Sequence, residues 1–235
     1  MSRRGRFVAL EGNDGSGKTT LCGELADAFR SRGERVRVVQ RYFRPEITRL
    51  FLRLVDDDLI DQEQVFLLSA ADHWAGIETA VIEPLEDGET VITDRYVYTH
   101  LVHFASRGVD DEVLHSALRG FLVPDAVVVL DAPPEVTWDR VRGPMKPDMW
   151  ECGLDHRLGV TIGEANRRWR AGEIGEQELR RHFDAQQRDM TSRFRDVVPR
   201  DRTIWLDASG EIDIPDLVRS IDSMRPPMAP TIEPA

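Results

Sequence analysis

Residues 7–20, Phe-Val-Ala-Leu-Glu-Gly-Asn-Asp-Gly-Ser-Gly-Lys-Thr-Thr, constrain this chain more than any other stretch. The apolar run 7–10 reads as a buried strand. Gly12 and Gly17 then bracket a four-residue loop followed by Lys18 and Thr19, the spacing of a phosphate loop. Glycines at Gly12, Gly15 and Gly17 let successive amides turn inward, so that a polyphosphate is held at a helix N-terminus. In that reading Gly12, Asn13, Gly15, Ser16, Gly17, Lys18, Thr19 and Thr20 bind the nucleotide. Lys18 brings a positive charge to the β and γ phosphates, and the Thr19 hydroxyl is placed for Mg²⁺. The helix this motif requires follows over 20–30, where Leu21, Leu25, Ala28 and Phe29 share a face. A nucleotide polyphosphate and Mg²⁺ are therefore the expected ligands of this loop.

Beyond that motif the pattern alternates. Strands are predicted over 7–10, 35–40, 90–93, 126–130 and 203–206. Helices are predicted over 46–55, 62–85, 97–106, 111–121, 134–141, 176–196 and 212–223. Such alternation predicts an α/β protein with the three-layer fold of P-loop NTPases: about five parallel strands with helices on both faces. Its ligands belong beyond the carboxyl ends of the strands, where Asp14, Asp94 and Arg95 and the residues after 40 and 130 should gather. The polar stretch 143–175 has no periodicity and reads as an extended, irregular lid. With 235 residues and 41 % apolar side chains, one domain over 1–224 is the default, and the proline-rich 225–235 reads as a disordered tail.

The remaining composition narrows the partners. No run reaches the 18 or so apolar residues of a membrane span and no signal-peptide core precedes the first strand, so a cytoplasmic protein without a membrane partner is expected. A formal charge of −11 argues against a nucleic-acid polymer, while leaving room for a local positive pocket that takes a small anion. Cys22 and Cys152 have neither metal-ligand spacing nor a disulfide pattern. Asp56, Asp57 and Asp58 read as a solvated loop. The spacing of His73, His100 and His103 is weak evidence for a metal, since one i, i+3 pair does not make a site.

Four segments, EGNDGSGKTT at 11–20, TDRY at 93–96, PDAVVVLDAPPEV at 124–136 and WLDAS at 205–209, together resemble the thymidylate kinase family of nucleoside monophosphate kinases. The likeness runs over 7–141 and returns over 183–221. It implies phosphoryl transfer from ATP to a nucleoside monophosphate. It also implies that Asp14 lies beside the acceptor, that Asp94 supports the metal and its water, and that Arg95 grips the acceptor phosphate. Asp207, Ala208 and Ser209 would flank the adenine. The phosphate loop has no arginine between Gly12 and Gly17, so a lid arginine is expected at the transferred group, with Arg140, Arg142, Lys146 and Arg157 bordering the lid. A homodimer is the assembly the resemblance brings with it, although no interface is visible in the sequence.

The departures from the family pattern fall where the acceptor base is read. Ser69 and His73 stand where the family carries a stacking aromatic and a phosphate-binding arginine, and His103-Phe104 replaces a Tyr-Gln pair. Phe43-Arg44-Pro45 replaces an Arg-Glu-Pro segment, and the longer lid adds Trp150, His156 and Trp169. Losing a base-reading amide leaves a buried polar edge unpaired, at about 1–3 kcal/mol per partner. The expected acceptor pocket is thus a differently shaped one, drawn from Asp14, Tyr42, Phe43, Arg44, Ser69, His73, Trp74, Arg95, Tyr96, His100, His103 and Phe104. For Trp74 and Phe104, ordinary core packing is the competing reading. Two other functions stay open: a kinase of a nucleoside or other small-molecule hydroxyl, to which one fewer cation is suited, and a nucleotide-binding regulatory switch that is not a kinase.

Overall fold

The computed structural model describes residues 4–40, 45–142 and 147–224. Its centre is β1 (Phe7–Gly12), every residue of which is buried. Because side chains alternate along a strand, β1 feeds two cores: Phe7 and Ala9 enter one, Val8 and Leu10 the other. The same division recurs in β3 (Thr90–Asp94) and β4 (Ala126–Asp131), where Val91, Val127 and Val129 face one side and Ile92, Val128 and Leu130 the other. A strand covered on both faces reads as a continuous apolar run, which is why these three were plain in the sequence.

With β2 (Val36–Val39) and β5 (Thr203–Asp207) they form a parallel sheet in the order β2-β3-β1-β4-β5. The register sets Leu10 opposite Asp94 and Gly12 opposite Leu130, and pairs Asp131 with Asp207. The loop after β1, Asp94, Asp131 and Asp207 therefore share one edge. That is the expected fold, with its polar residues at the expected end.

One face is covered by α1 (Lys18–Ser31) and α12 (Ile214–Ser223), which bury Leu21, Leu25, Phe29, Leu217 and Ile221. The other carries α2 (Pro45–Asp56), α3 (Gln62–Ile77), α4 (Glu83–Glu86), α5 (Val97–Ala105), α6 (Asp111–Leu118) and α7 (Pro134–Val141). A π-helical turn at Glu78–Ile82 joins α3 to α4. The resulting run Gln62–Glu86 is long and apolar enough, by length and composition, to cross a bilayer, but Val65, Phe66, Ile77, Val81 and Leu85 pack into the protein core.

The stretch expected to be an irregular lid is built otherwise. Its described part contains α8 (Met149–Cys152), α9 (Leu154–Leu158) and α10 (Ile162–Arg170), which lead to the long α11 (Glu176–Val197). Met149, Cys152, Leu154, Ile162 and Ala165 are buried in the same core as β1. Each helix is too short for a 3.6-residue period to show, and Gly153 and Gly159 interrupt the pattern in left-handed turns. Asp148 caps α8 with a capping box and Thr161 caps α10.

Two members of the Asp56–Asp57–Asp58 run are likewise not simply solvated. Asn166 Nδ2 donates to Asp56 Oδ1 at 2.7 Å and Arg167 Nη2 to Asp58 Oδ2 at 2.6 Å, which staples the α2–α3 turn onto α10. Gly163 is required there, since a Cβ would collide with Val55 O and the Asp58 carboxylate. Tyr42, Phe43, Arg44, Lys146 and the tail 225–235 lie outside the described residues.

Candidate functional site

The loop between β1 and α1 delivers Lys18 as the first helical residue, behind Gly17 in the left-handed conformation at φ 97°. Gly15, at φ 75°, lies so close to Val141 and the Thr137 carbonyl that any side chain would collide with α7. Ser16 Oγ donates to Asn13 O at 2.8 Å, and Lys18 Nζ donates to Asn13 O and, at 3.2 Å, to Ser16 Oγ. Lys18 is only 6 % exposed. Burial lowers its pKa to about 7, Arg95 acts in the same direction, and Asp14, Asp94 and Glu11 oppose it. The loop is pinned from outside by Asn13 Nδ2, which donates to Gln187 O at 3.0 Å and Thr191 Oγ1 at 2.6 Å on α11.

The end of β3 closes the other side. Thr19 Oγ1 donates to Asp94 Oδ2 at 2.6 Å, so hydroxyl and carboxylate lie together at the helix start. Arg95 adopts a left-handed φ of 74°, its amide donates to Leu10 O at 2.9 Å, and its guanidinium pairs with Asp14 and donates to Gly12 O at 3.1 Å. A non-glycine residue in that region is strained, and three bonds to β1 and its loop hold it there. On the far side Arg140 Nη1 donates to Gly15 O at 3.3 Å and Ala208 O at 3.0 Å, joining the loop to the segment after β5. Ala208 N donates to Asp131 O at 2.8 Å, and Ser209 N donates to Asp207 Oδ1 at 2.9 Å. Thr20 is exposed in the first turn of α1.

Glu11 is a functional candidate that the motif reading passed over. It is fully buried, accepts from Tyr96 N at 3.1 Å and from Thr99 Oγ1, and so fixes the turn that carries Arg95. Burial raises its pKa to about 7 against the pull of Thr99 and Arg95. An acid inside an otherwise apolar strand was the available signal.

Beyond Asp14 and Arg95 opens a cavity of about 400 Å³. Ser69, His100, His103 and Phe104 form one wall, and Phe51 of α2 and Trp150 of α8 line it as well. His100 Nε2 lies 2.7 Å from Ser69 Oγ, His73 Nδ1 lies 3.0 Å from Ser69 O, and the two imidazoles are 4.2 Å apart. Burial holds His100 and His103 well below the ordinary histidine pKa, so both are neutral at pH 7. Asp14, Ser69, Arg95, His100, His103 and Phe104 are thus brought together as the sequence suggested.

Other expected members are not. His73 stands behind His100 and does not line the cavity. Tyr96 is core, its hydroxyl donating to Leu122 O at 2.9 Å. Trp74 is 42 % exposed, packs against Phe121 and donates to Ala117 O. Arg142 is exposed beside Asp139 at 3.7 Å, and Arg157 donates to Gln186 Oε1 at 3.2 Å, so neither reaches the phosphate loop in this conformation. Among the described lid-border cations, Arg140 is the one placed at that loop. A second cavity, about 550 Å³, lies beyond β4 and β5 against Asp131, Pro133, Trp205 and Asp207.

A phosphate loop at the switch point of a parallel sheet, opening onto a separate cavity beside an arginine–aspartate pair, is the arrangement of the P-loop nucleotide kinases. The sequence profile described as thymidylate kinase matches residues 10–149. A probable thymidylate kinase of Thermococcus kodakarensis is 35 % identical over 145 residues, 58 % of this chain and 71 % of that protein. One from Pyrococcus horikoshii is 33 % identical over 145 residues, 59 % of this chain and 71 % of its own length. The solved thymidylate kinase of Candida albicans shares the fold with a TM-score of 0.62 at 17 % identity, over 94 % of this chain and 91 % of that one. The chain belongs to the thymidylate kinase family, and it is a nucleotide kinase, a phosphotransferase.

The residues present suit the cofactors that family uses. The loop amides at the N-terminus of a 14-residue helix, with Lys18 beside them, fit a polyphosphate. Mg²⁺ keeps much of its water and needs few protein oxygens, which matches the Thr19–Asp94 pair; among the described residues no cluster of three or more His, Cys, Asp or Glu competes for it.

Proposed function

We propose that the protein transfers the γ-phosphoryl group of ATP to a nucleoside monophosphate whose base is not thymine. One observation carries this reading: Asp14 of the phosphate loop and Arg95, which is bonded to that loop from the end of β3, both line the acceptor cavity. An acceptor phosphate at Arg95 is thereby set beside the nucleotide's terminal phosphate, and alignment supplies much of the rate in phosphoryl transfer. Thr19 and Asp94 would hold Mg²⁺, whose charge offsets that of the phosphate oxygens. Lys18 and Arg140 then bind and orient the donor, and the buried Glu11 keeps Arg95 in place through Tyr96 and Thr99.

The change of base follows from the wall. Where the family offers an aromatic face and an amide, Ser69 is bonded to His100 and the next turn presents His103 and Phe104. A second reading, a nucleoside or other alcohol as acceptor, is favoured by His73: buried and neutral behind His100, it adds no charge, and Arg95 is the one cation among the described lining residues. For assembly we propose a homodimer through the α3 face bearing Leu67 and Trp74, to be checked by light scattering for twice the 26.8 kDa chain mass.

The test of function is a mass-spectrometric screen of phosphoryl transfer from ATP and Mg²⁺ to nucleoside monophosphates, nucleosides and metabolite alcohols, with Lys18→Ala as control. A nucleotide gaining one phosphate, absent in the control, is the expected result. dTMP among the best acceptors would refute the altered base, a nucleoside product would select the second reading, and ATP binding without any acceptor would leave a regulatory switch.

A further inference from the structure

We infer that Trp150 of α8 is the residue on which the acceptor's ring stacks, and so favours acceptors that carry a flat heteroaromatic base. The inference rests on the acceptor being base-bearing, as proposed above. The wall contributed by α3 has no aromatic to offer at Ser69. Trp150 instead faces the same cavity from the segment after α7, between Phe51 at 5.7 Å and His103 at 5.9 Å. Its ring makes interplanar angles of 35° and 33° with theirs, so the three pack as a tilted aromatic cluster at the cavity, with Trp150 in its middle. A flat heteroaromatic ring is the ligand such a cluster recognises, and stacking tolerates many bases.

Trp150 is also held more firmly than a solvated lid residue would be. Arg107, fully buried, donates Nη1 to His103 O and Nη2 to Trp150 O, and its guanidinium lies 5.5 Å from the indole centroid. Asp155 faces that guanidinium at 3.5 Å and is itself held by the Gln62 amide. The next carbonyl, Glu151 O, accepts from Gln187 Nε2 at 2.9 Å on α11, while Asp148 caps the helix start. Two consecutive carbonyls, both ends of α8 and the indole face are thus fixed. Arg107 is the positioning residue of this arrangement, and the match to the family profile ends at residue 149, just before Trp150.

The experiment uses the full chain and the best nucleotide acceptor from a panel of dTMP, dUMP, dCMP, dAMP and dGMP. Trp150→Ala should raise the acceptor KM roughly 5- to 150-fold with KM for ATP unchanged, while the thermal midpoint falls by the packing lost against Phe51, His103 and Arg107, and Trp150→Phe should recover most of the KM loss. Arg107→Lys should raise the same KM without altering that for ATP. An acceptor KM moved less than twofold in Trp150→Ala, or a Phe variant no better than Ala, overturns the stacking role while leaving the kinase reading intact. Wild-type protein that phosphorylates no base-bearing compound overturns both.

Discussion

Lys18 makes ATP binding a proton-uptake reaction above neutral pH. Buried between the phosphate loop and Arg95, its amine is held at about 7 where an exposed lysine would titrate at 10.5. A bound polyphosphate places several negative charges against it and returns the pKa toward the ordinary value. The ligand-free pKa then lies below the bound one, so protons enter on binding and affinity falls as pH rises. Between pH 7.5 and 9, where phosphate oxygens with a pKa near 6 no longer titrate, the charged fraction of Lys18 drops by about 25-fold and Kd should rise by the same factor, about 1.9 kcal/mol. Isothermal titration of ATP and Mg²⁺ at pH 8.5, in two buffers of different ionisation enthalpy, should report close to one proton taken up. Lys18→Ala should bind weakly with neither the pH slope nor the buffer dependence. A wild-type enthalpy independent of buffer, with flat affinity over that range, would show that Lys18 is already charged in the unliganded protein.

Glu11 has its acid form favoured on folding, its pKa rising from 4.5 to about 7, so its stabilising contribution is complete below pH 4.5 and is lost as pH climbs through 7. Glu11→Gln should therefore gain on the wild type between pH 5 and 8, by on the order of 3 kcal/mol in urea unfolding, and parallel profiles would contradict this. Arg107→Met strands a buried Asp155 carboxylate and should cost about 3–5 kcal/mol of stability, much of it regained in the double variant with Asp155→Leu; an additive loss would deny the pairing. Asp94→Asn keeps an oxygen for the Thr19 hydroxyl but loses the charge, and should lower kcat about 100-fold while shifting the Mg²⁺ requirement upward, with the fold unchanged by circular dichroism.

What the sequence disclosed depended on how each element meets its surroundings. β1, β3 and β4 are buried on both faces and show as unbroken apolar runs, and the phosphate loop has a spacing that only its backbone geometry explains. Asp14, Asp94 and Arg95 follow from position, because strand ends in a parallel sheet converge whatever the helices do; Arg140, on α7, was legible only as a cation bordering the lid. The segment α8–α10 stayed hidden because its helices span 4, 5 and 9 residues, cover their apolar side chains only by docking on distant parts of the chain, and carry arginines whose partners are equally distant. Arg157 illustrates the difficulty: a cation beside a supposed lid, it turns to Gln186 on α11. His73 reads from the sequence as a member of the acceptor pocket because nothing local reveals that His100 stands in front of it.

α11 carries a consequence for how such an enzyme can be altered. Within one turn, Gln187 accepts through its carbonyl from Asn13 of the phosphate loop and donates through its side chain to Glu151 O behind the aromatic wall, while Gln186 Nε2 bonds Ser106 Oγ just beyond α5. The specificity surface is consequently not a detachable module. Grafting residues 147–175 onto a relative would import Trp150 without the register that aims it unless 186–191 travelled too, and drift in either segment would be felt by the loop that grips the donor. Diversification of the acceptor in this lineage would then proceed by paired changes across α8 and α11.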